Sequence, residues 1–355
     1  MSERIRVLVV EDSATVRRHL CDVLSASAGI DVIGEAADGQ EAVHLCEALR
    51  PDLVTMDMML PVMSGLAATE HIMAHCPTPI LIVSASLNRG EVFTTYEALA
   101  AGAIDVVEKP RGDEPDGVWE AAFLASVRLV SRVRPVRHLR GRWHGTPGEA
   151  RPPRVAAAGQ PPARQVVAIG ASTGGPGAIL TVLNAMPRPF PLPLLLVLHI
   201  NEPFGDAFAQ WLEEQTRFRV GYPADGSLVS GAADEVTMAP PGRHLVVREG
   251  RFRLTSDAER HSCRPSIDVL YESLAREYGA AAIACLLTGM GRDGASGLLA
   301  IRNAGGFTIA QDEASSVVYG MPREAARLDA ADRILPLSGI GPALARAAQQ
   351  PRAQP

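Results

Sequence analysis

The sequence predicts an α/β protein in which both halves are built on mostly parallel sheets. The first half alternates apolar strands with helical patterns, beginning with the continuous apolar run at 5–10, which is typical of a strand buried on both faces. The same alternation returns from residue 165, where a strand leads into a glycine-rich turn and a helix. Such alternation indicates βαβ units and parallel sheets.

We predict five strands and five helices in the first half. The strands lie at 5–10, 31–36, 53–56, 79–83 and 104–107, and the helices at 14–27, 39–49, 65–75, 90–101 and 115–130. The second half is predicted to hold strands at 165–170, 193–199, 282–287 and 307–311 (the last strand), a hairpin at 244–255, and helices ending near 185, over 203–215, over 265–278 and after 289–294. We expect a first domain at 1–122, a helix end and linker at 123–163, and a second domain at 164–350.

Length and composition narrow the function classes. A chain of 355 residues favours two domains, and the net charge of −6 disfavours a dedicated nucleic-acid partner. No apolar stretch reaches the roughly 18 residues of a membrane helix, and no signal-peptide core follows the N-terminus, so we expect a cytoplasmic protein that is not membrane-inserted. Five cysteines without CxxC spacing predict buried thiols in a reducing compartment: Cys21, Cys46, Cys76, Cys263 and Cys285.

The segment at about 126–163 is rich in Pro and Arg and predicts a helix end followed by a linker. The alternative is a basic tail that binds nucleic acid. Trp143 is the only aromatic residue in the segment, and interleaved aromatics are typical of such tails, so the linker is favoured.

Polar side chains follow the predicted strands of the first half where each strand ends: Glu11 and Asp12, Asp57, Ser84, and Lys109, the only lysine of the chain. Carboxyl ends of parallel strands meet at one edge of a sheet, so these groups should converge. Converging carboxylates need a cation, and few hard oxygen ligands suit Mg²⁺. The alternative is that Asp12 and Asp57 only cap the helices that follow.

These residues, with Leu60-Pro61, Gly65 and Lys109-Pro110, resemble the receiver domain of two-component response regulators over about 1–122. The resemblance implies a flavodoxin-like (βα)5 fold and phosphorylation of one aspartate by a histidine kinase. It implies these roles: phosphorylation at Asp57; Mg²⁺ held by Glu11, Asp12 and Asp57; phosphoryl contact from Lys109; coupling to a loop shift through Ser84. Val106 stands where receivers commonly carry an aromatic switch residue, so signalling is expected to rely more on interface repacking.

The second half carries a candidate nucleophile. The turn at 170–176 contains G-x-S-x-G after a strand, which presents Ser172 beside the N–H groups of a helix N-terminus. Turns of this form also bind phosphate or simply reverse the chain, which is the alternative. His199 ends the next strand and Asp293 lies in a glycine-rich loop after another, so a serine, a histidine and an acid are predicted at one sheet edge.

The two partner residues have simpler interpretations: His199 as a satisfied polar residue and Asp293 as a helix N-cap. The chain order Ser, His, Asp also differs from that of α/β-hydrolases. Weaker candidates lie elsewhere, with His244 at a hairpin strand and His261 in a polar loop. Asp268 and Glu272 are expected to face solvent from a helix.

Four motifs, GASTGGP, TGMGRDG, CRPSIDVLY and QDEASSVVYGMPREA, resemble the catalytic domain of CheB-type chemotaxis methylesterases over about 164–347. The resemblance implies a doubly wound, mostly parallel α/β catalytic domain with a β-hairpin. It also implies hydrolysis of glutamate methyl esters, and deamidation of glutamines, on chemoreceptor cytoplasmic domains. Ser172 would be the nucleophile, His199 the base and Asp293 the orienting acid, with backbone N–H groups near Thr173 and Met290 as oxyanion donors and no cofactor for the esterase reaction.

One departure from many relatives is Leu198 in place of Gln before the histidine, which is expected to alter substrate fit without removing a triad role. The expected partners are a chemotaxis histidine kinase and methyl-accepting receptors. The receiver domain is expected to cover the substrate cleft when it is unphosphorylated, and phosphorylation at Asp57 is expected to shift the domains towards the open state. The alternative is a response regulator whose second domain binds nucleotide or protein without chemistry. A DNA-binding output is less favoured because no helix-turn-helix pattern is present.

Overall fold

The chain divides into two compact units, Met1–Trp143 and His144–Pro355. The computed structural model describes residues 4–85, 89–110, 115, 117–133, 165–200, 202–229 and 233–349. Most of the predicted linker, from residue 134 to 163, lies outside the described residues. Within the described part of the chain, no helix combines the length and the apolar character needed to cross a membrane.

The first unit holds a five-stranded parallel sheet with the strand order β2-β1-β3-β4-β5. Its strands are β1 (Ile5–Val10), β2 (Ile30–Ala36), β3 (Leu53–Met56), β4 (Ile80–Ser84) and β5 (Asp105–Glu108), and its helices are α1 (Ala14–Ser25), α2 (Gly39–Leu49), α3 (Gly65–His75), α4 (Arg89–Ala101) and α5 (Val118–Val130). The central strands β1, β3 and β4 are buried at almost every position, which explains their continuous apolar runs. The predicted α/β class and strand order in the chain are confirmed here.

The helices that follow the acidic strand ends are capped by serines. The Ser13 hydroxyl accepts the N–H of Val16 at the start of α1, and the Ser64 hydroxyl accepts the N–H of Ala67 at the start of α3. Helix capping is therefore not the task of Asp12 or Asp57, since a neighbouring serine already performs it.

The second unit holds a seven-stranded sheet, ordered β14-β13-β12-β6-β7-β9-β8, and a separate antiparallel hairpin, β10-β11. Its strands are β6 (Val166–Ala171), β7 (Leu194–Leu198), β8 (Arg219–Gly221), β9 (Glu235–Met238), β10 (His244–Arg248), β11 (Arg251–Thr255), β12 (Ala282–Leu286), β13 (Phe307–Gln311) and β14 (Arg333–Leu335). Its helices are α6 (Gly175–Asn184), α7 (Glu202–Gln215), α8 (Ile267–Tyr278), α9 (Ala295–Asn303), α10 (Met321–Arg327) and α11 (Leu337–Ala348), with a short 3-10 turn at Gly279–Ala281.

The prediction that 307–311 is the last strand is wrong, because β14 extends the sheet at its edge. The sequence also failed to predict β8 and β9 at the opposite edge. The two outermost strands, β8 and β14, are three residues long and mostly exposed or half-buried, so they lack the apolar run that marks a buried strand.

Strands that follow β6 in the chain are added first on one side of β6 and later on its other side. From β6 the next strand in the chain, β7, lies on one side, while β12 pairs with β6 on the other. Leu286 pairs with Gly170, and Gly170 pairs with Val197, so the carboxyl ends of these three strands lie in one row. A crevice outside the strand ends at such a switch point is the usual place for a ligand in open α/β sheets.

Candidate functional site

A buried ion-pair cluster lies at the carboxyl edge of the first sheet. The Lys109 ammonium Nζ is 2.8 Å from Glu11 Oε2 and 3.0 Å from Asp57 Oδ1. The carboxylate side chains are 0% and 2% exposed and the lysine 16%, so the cluster is shielded from water. The predicted convergence of these strand ends is thus present in the structure.

Burial dominates the titration of this cluster. It raises the pKa of Glu11 from 4.5 to about 7, although the hydrogen bond from Lys109 opposes the shift. Burial also raises the pKa of Asp57 above its usual range against the pull of Lys109. For Lys109 burial lowers the pKa, but the two carboxylates outweigh it, and the net shift is upward. One ammonium does not fully neutralise the two buried carboxylates, so a second cation at this edge would be stabilised by them.

The acidic residues at this edge fit a hard divalent cation. Oxygen atoms of Glu11, Asp12 and Asp57 lie within 4.8 Å of one another, and Asp12 is exposed at the mouth of the cluster. Carboxylate oxygens with room for water are the donor set that Mg²⁺ prefers. The residues present therefore fit the expected Mg²⁺.

Ser84 ends β4 and is fully buried. Its hydroxyl donates a 2.8 Å hydrogen bond to Glu91 Oε1 on α4, and the same oxygen accepts the N–H of Ala85. Glu91 was missed by the sequence reasoning, because nothing in a helix-face glutamate signals a strand-end partner. Val106, at the position of the expected aromatic, is half-buried in β5.

In the second unit, the turn after β6 is fixed by backbone hydrogen bonds. The Ser172 N–H donates to the Thr288 carbonyl at 3.0 Å, and the Gly175 N–H donates to the Ser172 carbonyl at 2.6 Å. Gly174 has a φ of 74°, which a residue with a side chain rarely adopts, and it is the N-cap residue of α6. This local geometry leaves Ser172 half-buried at the top of the sheet, as the G-x-S-x-G spacing predicts.

His199 and Asp293 are in direct contact. His199 Nε2 lies 2.8 Å from Asp293 Oδ2, and the two side chains are 14% and 2% exposed. Three further donors hold the carboxylate: the Ser266 hydroxyl at 2.7 Å and the N–H groups of Ile267 and Asp268 at 2.7 and 3.2 Å. The start of α8 therefore orients the acid, which in turn orients the imidazole.

The contact between His199 and Asp293 changes the titration of both groups. Burial lowers the pKa of His199, but the hydrogen bond to Asp293 and the contact with Cys263 outweigh it and raise the pKa to about 9. Burial alone would raise the pKa of Asp293, but the bond to His199 lowers it below the ordinary value. An imidazolium is thus stabilised at this position, which is the state a general base reaches after it has taken a proton.

The loop after β12 is pressed against the serine turn. A Cβ added at Gly289 would lie 2.6 Å from the Ser172 Cβ, so only glycine allows this approach. The Gly289 N–H donates to the Val318 carbonyl, and its own carbonyl accepts the Met321 N–H. Met290 follows with 57% of its surface exposed. The loop is therefore fixed on one side and open to solvent on the other.

Thr288 joins three segments around this site. Its hydroxyl lies 3.0 Å from the Thr173 carbonyl and 2.9 Å from the Val318 N–H, and its own N–H donates to Gln311 Oε1 at 2.8 Å. Sequence reasoning gave no role to Thr288 or Gln311. Both residues lie within the quoted motifs, but side chains that hydrogen-bond to the backbone have no characteristic spacing that would reveal their role.

The prediction that Asp268 faces solvent is wrong. Asp268 is fully buried and accepts the Gly297 N–H at 2.6 Å, with His261 Nε2 at 3.2 Å and Arg260 Nε at 3.7 Å. Glu272 forms a 2.7 Å ion pair with Arg260 and is about a quarter exposed. Helical spacing placed both acids on one face, but that face packs on the Arg260 loop instead of water.

His244 and His261 do not contact His199 or Asp293 by hydrogen bonds, but each is bonded to a residue, Ser266 or Asp268, that donates to Asp293. His244 is buried and its Nδ1 accepts the Ser266 N–H at 3.1 Å, which supports the start of α8. Two clusters of metal-ligand type occur here, with ligand atoms within 4.8 Å of one another: His199, Cys263 and Asp293, and His261, Asp268 and Asp293.

The prediction that all five cysteines are buried is wrong at one position. Cys263 is half-buried, and its Sγ lies 3.6 Å from His199 Nδ1. Sequence reasoning missed this neighbour because the segment before α8 contributes no strand end. The thiol therefore faces the imidazole nitrogen that does not contact Asp293.

Comparison with known proteins also divides the chain into two parts. The sequence profile of the CheB methylesterase family matches residues 167–344, and that of the response regulator receiver domain matches residues 7–115. Protein-glutamate methylesterase/protein-glutamine glutaminase 2 of Anaeromyxobacter dehalogenans is 43% identical over 341 residues, 96% of each chain. The corresponding enzyme of Nitrosospira multiformis is 42% identical over 343 residues, again 96% of each chain.

Solved structures with similar sequences cover the two parts separately. The catalytic domain of Thermotoga maritima CheB methylesterase is 32% identical, covers 52% of this chain and 98% of that one, and has a TM-score of 0.49. The response regulator domain of Thermotoga maritima CheB is 37% identical, covers 38% of this chain and 100% of that one, and has a TM-score of 0.34.

The two parallel sheets and the family matches define a response regulator receiver domain joined to a methylesterase domain. The chain belongs to the CheB methylesterase family, which confirms the predicted resemblance. The comparisons give no support to a second domain that binds without chemistry.

Proposed function

We propose that this chain hydrolyses glutamate methyl esters, and deamidates glutamines, on the cytoplasmic domains of chemoreceptors, and that phosphorylation of its receiver domain activates it. The observation that carries the proposal is the 2.8 Å contact between His199 Nε2 and buried Asp293 in the strand-end row that also presents Ser172. The names of the relatives, which pair methylesterase with glutaminase, support both reactions.

In the proposed mechanism Ser172 Oγ attacks the ester or amide carbonyl while His199 accepts the hydroxyl proton. Nε2 is held by Asp293, so Nδ1 is the nitrogen that takes the proton. The imidazolium then donates to the leaving group, methanol or ammonia, and water hydrolyses the acyl-enzyme by the same route in reverse. Asp293 keeps the imidazole oriented and stabilises its charged form, which agrees with the raised pKa of His199.

The oxyanion is proposed to bind backbone N–H groups of Thr173 and Met290. Hydrogen bonds next to both residues support this proposal. The Thr288 hydroxyl donates to the Thr173 carbonyl, and Gly289, which precedes Met290, is bonded to Val318 and Met321. Donors that are rigid before the reaction stabilise developing charge without reorganising.

In the receiver domain, Asp57 is the proposed phosphorylation site and a histidine kinase the proposed phosphodonor. Glu11, Asp12 and Asp57 would hold Mg²⁺, which neutralises phosphoryl charge when bound. Lys109 already lies 3.0 Å from Asp57 Oδ1 and would move its hydrogen bond to a phosphoryl oxygen. Ser84 would exchange its bond to Glu91 for one to the phosphoryl group, which would free the start of α4 to shift. The domain bounds at 1–122 and 164–350 and a cytoplasmic location are part of this proposal.

The test uses the full chain and receptor membranes whose glutamates carry labelled methyl groups. Methanol release should be slow alone and faster with a small phosphodonor and Mg²⁺. Ser172→Ala should lower release on the order of 10⁴-fold, while Ser256→Ala, at an exposed serine, should not. Asp57→Asn should lose the response to phosphodonor, and Asp22→Asn, at a 65% exposed aspartate, should keep it. Equal release by wild type and Ser172→Ala would exclude the proposed nucleophile.

A further inference from the structure

Cys263 differs from the other cysteines in its surroundings. Cys21, Cys46, Cys76 and Cys285 are 8%, 0%, 2% and 0% exposed, whereas Cys263 is half-buried. Burial raises the pKa of each of those four thiols, to about 11 for Cys21 and about 12 for Cys76. Thiols in such surroundings are inert, because the thiolate is the reactive form.

The Cys263 thiol completes a chain of three groups. Its Sγ is 3.6 Å from His199 Nδ1, and His199 Nε2 is 2.8 Å from Asp293 Oδ2. A nucleophile within reach of a base that a third group orients is the arrangement that activates cysteine in hydrolases and transferases. We propose that Cys263 is a reactive thiol that shares His199 with Ser172 and forms mixed disulfides with small disulfides, which stops hydrolysis. The loss of hydrolysis rests on the proposed function, whereas the thiol reactivity does not.

A tight turn presents this thiol to the imidazole. Arg260 and Cys263 exchange both backbone hydrogen bonds, at 3.2 and 3.0 Å, around His261 and Ser262, whose φ values are 54° and 59°. Two central residues with positive φ define a narrow hairpin turn. The turn is held to α8 by the Arg260–Glu272 ion pair at 2.7 Å. The single thiol hydrogen has a second acceptor in the His261 carbonyl of the same turn, 3.4 Å from Sγ, so the sulfur is held between this carbonyl and the imidazole.

The reaction is a thiol–disulfide exchange. The Cys263 proton passes to His199 Nδ1, and the sulfur attacks one sulfur of the small disulfide. A new S–S bond forms at Cys263, the original S–S bond breaks, and the leaving thiolate takes the proton from the imidazolium. The small disulfide is thereby reduced at one sulfur while Cys263 is oxidised, and an added thiol reverses the step.

Modification would prevent the proposed esterase step at a single atom. Nε2 is committed to Asp293, so Ser172 depends on Nδ1. A group attached to a sulfur 3.6 Å from Nδ1 would crowd the nitrogen that the proposed mechanism uses to accept the serine proton. The same contact makes the thiol reactive and makes its modification inhibitory.

The test measures thiol release from 5,5′-dithiobis(2-nitrobenzoic acid) by the full chain in buffer with EDTA. One of the five thiols should react in a fast phase, and mass spectrometry should place the adduct on Cys263. Cys263→Ala should lose the fast phase and Cys21→Ala should keep it. His199→Gln should slow it at least about tenfold, because general-base assistance is worth ~10²–10⁴-fold. If that variant exposes all five thiols by unfolding, Asp293→Asn serves instead, since it keeps the imidazole and removes its partner.

Hydrolysis is measured on the same samples. Labelled wild type should lose methanol release and regain it with dithiothreitol, and Cys263→Ala should be insensitive to the reagent. Ser172→Ala should keep the fast thiol phase while lacking hydrolysis, so failure of the esterase proposal leaves the thiol result readable. Equal reaction rates in wild type and His199→Gln, or an adduct on Cys263 without loss of hydrolysis, would overturn the inference.

Discussion

Lys109 bridges Glu11 and Asp57 across the edge of the first sheet, 2.8 Å from one carboxylate and 3.0 Å from the other. A single ammonium thus serves two carboxylates that are almost fully removed from water. A lysine suits the position after β5, in a chain whose other basic residues of the Lys and Arg type are arginines, because a compact charge on a flexible stem can reach both carboxylates. The same flexibility would let it turn to a phosphoryl group in the proposed phosphorylation of Asp57.

Replacing this ammonium should uncouple the receiver from phosphodonor. In Lys109→Met we expect the stimulation of hydrolysis to fall about tenfold or more, since a hydrogen bond to a charged group contributes roughly 1.5–3 kcal/mol. Methanol release with and without phosphodonor checks this. Arg18→Met, at a side chain that is 79% exposed, is the control and should respond normally. A Lys109→Met enzyme that is stimulated like wild type would contradict the role given to the bridge.

Hydrolysis should increase with pH over the neutral range. The pKa of His199 is raised to about 9, and only the neutral imidazole can accept the serine proton. We expect kcat/KM to rise roughly tenfold per pH unit between 7 and 8 and to level off above 9. The free energy of unfolding should change in the opposite direction, because folding favours the protonated imidazole. The stabilisation from protonated His199 is complete below pH 6.5 and is lost as the pH rises through about 9. A profile that is flat from pH 7 to 9 would argue against His199 as the base.

Asp293→Asn should nearly abolish hydrolysis. Loss of the carboxylate removes the partner that orients the imidazole and favours its charged form, and kcat should fall on the order of 10⁴-fold. The residual pH profile should also move to lower pH, because the interaction that raises the pKa of His199 is gone. Asp257→Asn, at an exposed aspartate near the hairpin, is the matched control and should retain full rate.

Gly289→Ala tests the close approach between the two loops. The added methyl would lie 2.6 Å from Ser172 Cβ and 2.4 Å from Met321 Cε, so the loop must move. We expect at least about a 100-fold loss of kcat/KM, since small displacements of a reacting group have effects of that size. Circular dichroism should show a folded protein. Gly221→Ala, where the added carbon meets nothing within 4 Å, should remain active.

The sequence predicted most of what positions the sites, for a simple reason. Parallel strands end at one edge, so the identities of the residues after β1, β3, β5, β6, β7 and β12 were enough to bring Lys109 to Asp57 and His199 to Asp293. The apolar runs of β1, β6, β7 and β12 are five or six residues long and mostly buried, which made these strands visible in the sequence.

The rest of the site depends on contacts that leave no periodic signal. Cys263 reaches His199 through a narrow turn whose central residues, His261 and Ser262, are not glycines, so the turn is not marked in the sequence. Asp268 has the spacing of a solvent-facing acid, yet it is buried by a loop that folds back onto α8. The Thr288 hydroxyl bonds to backbone from three segments that are far apart in the chain.

The arginine-rich composition has a practical consequence for studying activation. Lys109 carries the only side-chain amine of the protein, and it is only 16% exposed while it bridges Glu11 and Asp57. Apart from the chain terminus, an amine-directed reagent therefore has one possible target, located between Glu11 and the proposed phosphorylation site, Asp57. The extent of a single chemical adduct would then report on the receiver directly, without a fluorescent tag or an engineered residue.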